Sequence, residues 1–236
     1  MPDSHITVAS YNVHRCIGTD GRLDLHRVAA VIKSLDADVI GIQEVNSSNL
    51  GDRETDQLEY LSKMSGLESI MGPTIHEGRS QYGNAILTNL KLVAVRRIDL
   101  SVRDREPRGA LDVDLQVDGR TVRIIVTHLG LSAVERKQQF RKLRSLLDTD
   151  GSEVQIVMGD FNDWYPFSRP IAWLNRHFGR SPAKLTFPST FPLLPLDRIW
   201  VKPSETMLRM KVHATPLSRM ASDHLPIIAT LALTDR

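Results

Sequence analysis

The chain has 236 residues, 41% hydrophobic and 25% charged, a composition that supports one folded domain over 1–236 with a substantial core and excludes a disordered tail or a fibrous repeat. Thirty Lys and Arg against 28 Asp and Glu leave a net charge of +2, with no block of like charge resembling a nucleic-acid-binding arm. A single cysteine, Cys16, rules out an intrachain disulfide and a thiol-rich metal site.

The opening residues lack the basic and apolar blocks of a secretory signal, and no apolar run is long enough to span a bilayer. A cytoplasmic location is therefore expected, with peripheral membrane contact still compatible. Residues 1–60 hold ten acidic and five basic side chains, so an early region suited to a cation precedes a more basic one suited to an anion.

In chain order, Ile6 to Val13 reads as a first strand. Leu25, Val28, Ala29, Ile32 and Leu35 then recur at the spacing of one helical face, with Asp24 as N-cap. Val39 to Ile42 is a second strand that delivers Gln43 and Glu44 at its end. Asn46 to Asp56 reads as loop before a short helix over Gln57 to Met64. Leu111, Val113, Leu115 and Val117 alternate with Asp112, Asp114, Gln116 and Asp118, which predicts one face on a core and the other in water.

Asp118-Gly119 is a hairpin turn leading into Thr121 to Thr127. Phe140, Leu143 and Leu147 mark a helix whose Arg136, Lys137, Arg141, Lys142 and Arg144 should face outward. Val154 to Gly159 is a compact strand ending in Asp160-Phe161-Asn162-Asp163-Trp164. The proline-rich stretch after it divides into loops and short elements, better placed at an active-site rim than in a linker. Ile199 to Val201, Met207 to Val212 and Pro226 to Leu233 supply late strands.

Mixed strands and helices point to layered α/β packing, two sheets together with helices outside. Neither a GxGxxG fingerprint nor a Walker loop is present, so no nucleotide cofactor is implied. Polar residues fall repeatedly at strand ends: Asn12, Glu44, His128, Asp160 with Asn162, and Asp223-His224 before the last strand. Such residues can converge on one rim of stacked sheets.

The segments Ser10-Tyr11-Asn12, Ile42-Gln43-Glu44, Tyr82-Gly83-Asn84-Ala85, Thr127-His128-Leu129, Gly159-Asp160-Phe161-Asn162, Leu196-Asp197-Arg198-Ile199 and Ser222-Asp223-His224 occur in this order across nearly the whole chain. Together they resemble the endonuclease/exonuclease/phosphatase superfamily, the DNase I-like fold. The resemblance implies a four-layer α/β sandwich of two central mixed sheets flanked by helices, and hydrolysis of a phosphate ester with a divalent cation, Mg2+ in the first place and Mn2+ as a substitute. It extends to substrates as different as nucleic acids, phosphoinositides and sphingomyelin.

Residue by residue, Glu44 supplies the hard oxygen ligand that Mg2+ prefers; the family counterparts of Asn12 and Asp223 add further ligands. Asp160 positions or deprotonates the attacking water, and Asn162 hydrogen-bonds a phosphate oxygen. His224 is the leading proton-transfer group, with Asp197 as its distant partner. His128 stabilises charge on phosphorus. Asn84, Tyr82 and His14 are expected around the substrate. Arg108 is expected as a phosphate clamp, whereas Arg103 and Arg105 read first as a solvated turn, with a wider basic rim as the alternative. Ser222 beside His224 does not make a serine hydrolase, since the GxSxG elbow is missing.

The partner expected is a phosphate-ester substrate. A nucleic acid is allowed by the charge but not required, and nothing marks an obligate protein partner. Thr127 to Leu131, Arg136 and Gly159 to Trp164 resemble small bacterial sphingomyelinase-like hydrolases, which tilts the reading to a small or phospholipid-headgroup diester. A metal-dependent nuclease and an inactive phosphate-binding module are the alternatives.

Overall fold

In the computed structural model the described residues are 4–48, 56–148, 153–165 and 167–233. Two mixed sheets stack face to face. The larger, in the order β10-β11-β1-β2-β4-β3, is built from Met207–Val212, Ile227–Leu233, Ser4–Asn12, Val39–Ser48, Ser80–Thr88 and Glu68–Glu77. The smaller, in the order β5-β6-β7-β8-β9, is built from Lys91–Asp99, Gly109–Val117, Arg120–His128, Val154–Asp160 and Asp197–Lys202.

Three buried clusters give the layers their order. Ile6, Val8, Val39 and Ile86 from the larger sheet meet Leu111, Val113, Ile124 and Ile156 from the smaller one. On the outer face of the larger sheet, Ala9, Tyr11, Ile40 and Ile42 pack against the helices α1 (Leu25–Ser34), α2 (Gln57–Ser65) and α5 (Pro216–Ala221). On the outer face of the smaller sheet, Ile125, Val157 and Trp200 pack against α3 (Ala133–Leu147) and α4 (Arg169–Phe178). Alternate residues of β1 thus enter different cores, which is why the strand reads as an apolar run; both of its faces are covered. The expected four-layer α/β architecture is the one observed.

Local signals hold where the chemistry is short-range. The Arg27 N–H donates to Asp24 Oδ1 at 2.9 Å, capping α1. Val117 pairs with Arg120 across a two-residue turn in which Asp118 and Gly119 both have positive φ, 46° and 84°. The stretch expected as loop from Asn46 begins instead as strand, because β2 continues to Ser48 opposite β4; residues 49–55 of that stretch lie outside the described residues.

The water-facing side expected for β6 is corrected most sharply at Asp112, which is fully buried. Arg123 from β7 grips it with Nε and Nη2 at 2.9 and 2.7 Å, and Arg96 from β5 adds bonds at 2.9 and 3.0 Å. The same Arg96 bonds Asp114 at 2.8 and 2.7 Å. Alternation shows which residues share a face, but not that cations from both neighbouring strands will close over it.

Burial alone would raise the Asp112 carboxyl, yet the Arg123 and Arg96 guanidinium groups outweigh it and hold the group below its ordinary value. Such a carboxylate stabilises the fold above its unfolded value near 3.9, and the contribution disappears as pH falls through the lower folded value. Asp112→Asn is therefore expected to destabilise the protein at pH 7 by roughly 3 kcal/mol, because two cations lose a buried partner. Denaturant unfolding should show the gap to the parent protein shrinking below about pH 4.

Among the described residues, no helix is long and apolar enough to cross a membrane.

Candidate active site

The polar strand ends meet in one cleft of about 780 Å3. In the smaller sheet, His128 at the end of β7 pairs in register with Asp160 at the end of β8, and Asp160 pairs with Asp197 at the start of β9. Three functional side chains thus stand in one row. Gly159, at φ 146°, makes the row possible, since a Cβ there would drive into the Thr127 carbonyl of the adjacent strand.

The larger sheet contributes through a bulge. Between Ile42 and Val45 the register of β2 against β4 shifts, and Glu44 sits at φ 60°. A non-glycine residue in that region is rare, and bulges of this kind re-aim a side chain. Glu44 accordingly lines the cleft.

Asp160 is the hub. Its Oδ1 accepts the Asn162 backbone N–H at 2.8 Å, and its Oδ2 accepts Asn12 Nδ2 at 3.1 Å. The same Asn12 amide donates to Glu44 Oε1 at 2.9 Å, so one side chain bridges two carboxylates from different sheets. Asn12 Oδ1 meanwhile accepts the His14 N–H at 3.0 Å. In this arrangement Asn12 is a clip between acids, and its Oδ1, which accepts one hydrogen bond, keeps a second lone pair for a cation.

Two histidines face Asp160 Oδ2, each with Nε2 at 3.5 Å. Their surroundings push them in opposite directions. For His224, burial works against the charge, but Asp197 and then Asp160 outweigh it and raise the imidazole to about 10. The Asp197 bond is direct, Nδ1 to Oδ2 at 2.9 Å, and Thr186 Oγ1 donates to the same Asp197 oxygen at 2.5 Å.

For His128, burial dominates, Arg108 and His224 add to it, and the pull of Asp160 does not compensate, so the ring falls to about 3. His128 Nδ1 lies 3.0 Å from Arg108 Nη1, a permanent donor. The other ring nitrogen, Nε2, lies 3.0 Å from Asn162 Nδ2 and 3.5 Å from Asp160 Oδ2, so an amide donor and a carboxylate acceptor compete for it.

The remaining candidates divide by position. Asn162 is fixed by donation from Nδ2 to the Leu129 carbonyl at 2.9 Å and lines the cleft. Arg108 is buried, pairs with Glu106 at 3.3 Å, and keeps Nε without a hydrogen-bond partner among the described residues. Tyr82, His14 and Asp223 line the cleft, and His14 Nδ1 lies 3.8 Å from Asp223 Oδ1. Asn84 is buried instead, donating from Nδ2 to the Gly109 carbonyl at 3.0 Å, and joins the two sheets behind the cleft wall. Arg103 is almost fully exposed and pairs with Asp104, away from the cleft lining. Ser222 Oγ donates to the Asn12 carbonyl at 2.7 Å, tying the His224 segment to β1.

Several contacts in the cleft were not anticipated. Arg15 follows His14 in a left-handed turn, φ 47° and 51°, that lays its guanidinium over the Tyr82 ring at 4.5 Å. Arg136, expected outward, is buried: it donates to the Gly130 and Leu131 carbonyls and lies 3.8 Å from Asp163. Carbonyls left open at the start of α3 draw it inward, which a helical-face reading does not see. Phe187 packs on the His224 ring, centroids 4.9 Å apart.

The donor set suits a hard divalent cation. Glu44 and Asp160 are carboxylates joined by a single amide, and Asp223 adds a third on the same cleft. Asp160, Asp197 and His224 also place one ligand atom each within 4.8 Å of one another. These carboxylates support a divalent-metal site and, in general terms, metal-dependent phosphoesterase activity.

The sequence matches the Endonuclease/Exonuclease/phosphatase family over residues 9–224. It is 30% identical over 258 residues to the uncharacterised protein YbhP of Escherichia coli K12, covering 99% of this chain and 100% of that one. Among solved structures, an endonuclease/exonuclease/phosphatase family protein from Bacteroides thetaiotaomicron aligns with a TM-score of 0.77 at 19% identity, over 100% of both chains. A mannosyl-6-phosphatase from Bacteroides thetaiotaomicron VPI-5482 aligns with a TM-score of 0.75 at 19% identity, over 95% of this chain and 98% of that one. By sequence match and architecture alike, the chain belongs to the endonuclease/exonuclease/phosphatase family.

Proposed function

We propose that this protein hydrolyses a phosphodiester of a small molecule or a phospholipid headgroup, using a divalent cation, Mg2+ first, held on the Glu44 and Asp223 side of the cleft. The observation that carries the reading is the composition of the walls. A compact set of donors and carboxylates is faced by Leu131, Trp164, Tyr165, Phe187 and Leu194. Such walls accept a short substrate with an apolar flank, whereas a duplex backbone needs many spaced cationic contacts.

The chain's own groups divide the work. Arg108, Asn162 and His128 face the nonbridging phosphoryl oxygens. Asp160 orients water and takes its proton as the water oxygen bonds to phosphorus. The His224 imidazolium, held by Asp197, donates to a phosphoryl oxygen as charge builds there. The bond from phosphorus to the leaving alcohol oxygen breaks on the opposite side, and that oxygen takes its proton from solvent. One diester and one water yield one monoester and one alcohol. When bound, the cation supplies Lewis-acid polarisation and charge neutralisation at the phosphate.

A panel of a chromogenic diester, a phospholipid-headgroup diester, an inositol phosphate, and single- and double-stranded DNA tests the reading. The small diesters should turn over best, and preferential cleavage of DNA would refute it. In the same assay Glu44→Gln should raise the Mg2+ concentration needed for half activation by at least 10-fold, since loss of even an outer partner of a metal ligand typically costs roughly 10- to 100-fold in affinity. An unchanged metal titration would remove Glu44 from the site.

A further inference from the structure

The cleft does not end at its apolar wall. Through Ala133, Arg136 and Tyr165, which line both, it opens into a groove of about 610 Å3 between α3 and α4. Lys137 and Arg141 of α3 and Arg169 and Arg176 of α4 line this groove. None of these four side chains forms an ion pair or hydrogen bond among the described residues. The acids nearby are already engaged: Asp163 with Ser168 and Arg136, Asp148 with Arg144.

Around the groove and the cleft mouth stands an apolar rim. Phe167 is 80% exposed, Leu131 77%, Phe191 71% and Val134 68%. Phe167 packs on Tyr165 at the junction, ring centroids 5.7 Å apart. Phe191 lies in the segment between Phe187 and Leu194, both of which line the cleft. Unpaired cations beside projecting aromatic and aliphatic side chains are the composition of a surface that sits in a lipid headgroup layer.

We propose that this groove and rim dock the protein on a bilayer rich in anionic phospholipid, with the cleft mouth turned to the headgroups. The inference rests on the diester reading above and names where that diester is met. A single nucleic-acid strand fits less well. Phe167 and Phe191 offer faces for base stacking, but the groove's own Trp173 is stacked by His177 on one side, 4.6 Å between centroids, and lies 5.2 Å from the Arg144 guanidinium. Leu131 and Val134 offer no aromatic face at all.

The test is sedimentation of the full chain with vesicles of phosphatidylcholine alone and of phosphatidylcholine with an equal part of phosphatidylglycerol. Binding is expected on the anionic vesicles and should weaken as salt is added. Combining Lys137→Glu, Arg141→Glu, Arg169→Glu and Arg176→Glu should weaken it on the order of 1000-fold or more, at about 1 kcal/mol per cation. Turnover of a soluble chromogenic diester should be unchanged in that variant.

If the charge-reversed chain fails to fold, Val134→Ser with Phe167→Ser serves instead, with binding expected to fall roughly 10-fold and its salt dependence retained. Equal binding to both vesicle types, undiminished binding by whichever variant folds, or displacement of the protein from vesicles by a single-stranded oligonucleotide would overturn the docking surface. Vesicle binding without turnover of the soluble diester would sink the catalytic reading and leave the docking surface standing. Turnover without vesicle binding would do the reverse.

Discussion

Asp160→Asn is expected to reduce kcat on a soluble diester by roughly 1000-fold or more, within the range that removal of a positioned proton-transfer group produces. The substitution keeps the size of the side chain and an oxygen for the Asn162 N–H, the bond measured at 2.8 Å. It removes the oxygen that accepts from Asn12 and faces both histidines at 3.5 Å. A thermal melt run beside the kinetics separates lost chemistry from lost folding. A folded variant within a few-fold of the parent rate would take proton transfer away from Asp160.

The second large effect concerns His224. Held charged at neutral pH by Asp197 and Asp160 despite its burial, it does its work as charge develops on the phosphoryl group rather than in binding. His224→Gln should lower kcat by roughly 100- to 10,000-fold with little change in KM. A rise in KM at constant kcat would assign it to substrate binding instead.

The same residue sets a pH dependence of stability. Its folded value, about 10, lies above its unfolded value near 6.5, so the stabilisation is complete below 6.5 and is lost as pH rises through 10. In chelator-treated protein the parent melting temperature should decline across that window. The His224→Gln profile should be flatter.

Much of this site was legible because strand ends are. Where an apolar run stops at Asn12, His128 or Asp160, the pleat places the next polar group at a sheet edge, and parallel pairing of β7 with β8 brings such ends side by side. The capping Asp24 and the Asp118-Gly119 turn were equally readable, since each rests on chemistry within a few residues. What escaped depends on partners outside the element that carries the residue. Arg136 and Asp112 look solvated on their own elements and become buried through groups supplied by other segments. Nor does sequence spacing reveal the left-handed turn that brings Arg15 over Tyr82, or the edge strands β3 and β5, which carry no clear alternation.

The cleft's central claim, that its carboxylates and histidines serve metal-dependent phosphoester chemistry, is tested most directly by turnover of a chromogenic phosphodiester during titration of Mg2+ into chelator-treated protein. Saturable activation is predicted, abolished in Asp160→Asn and shifted to higher Mg2+ in Glu44→Gln. Folded protein that shows no turnover with Mg2+ or Mn2+, or hydrolyses the diester equally well in chelator, would contradict it.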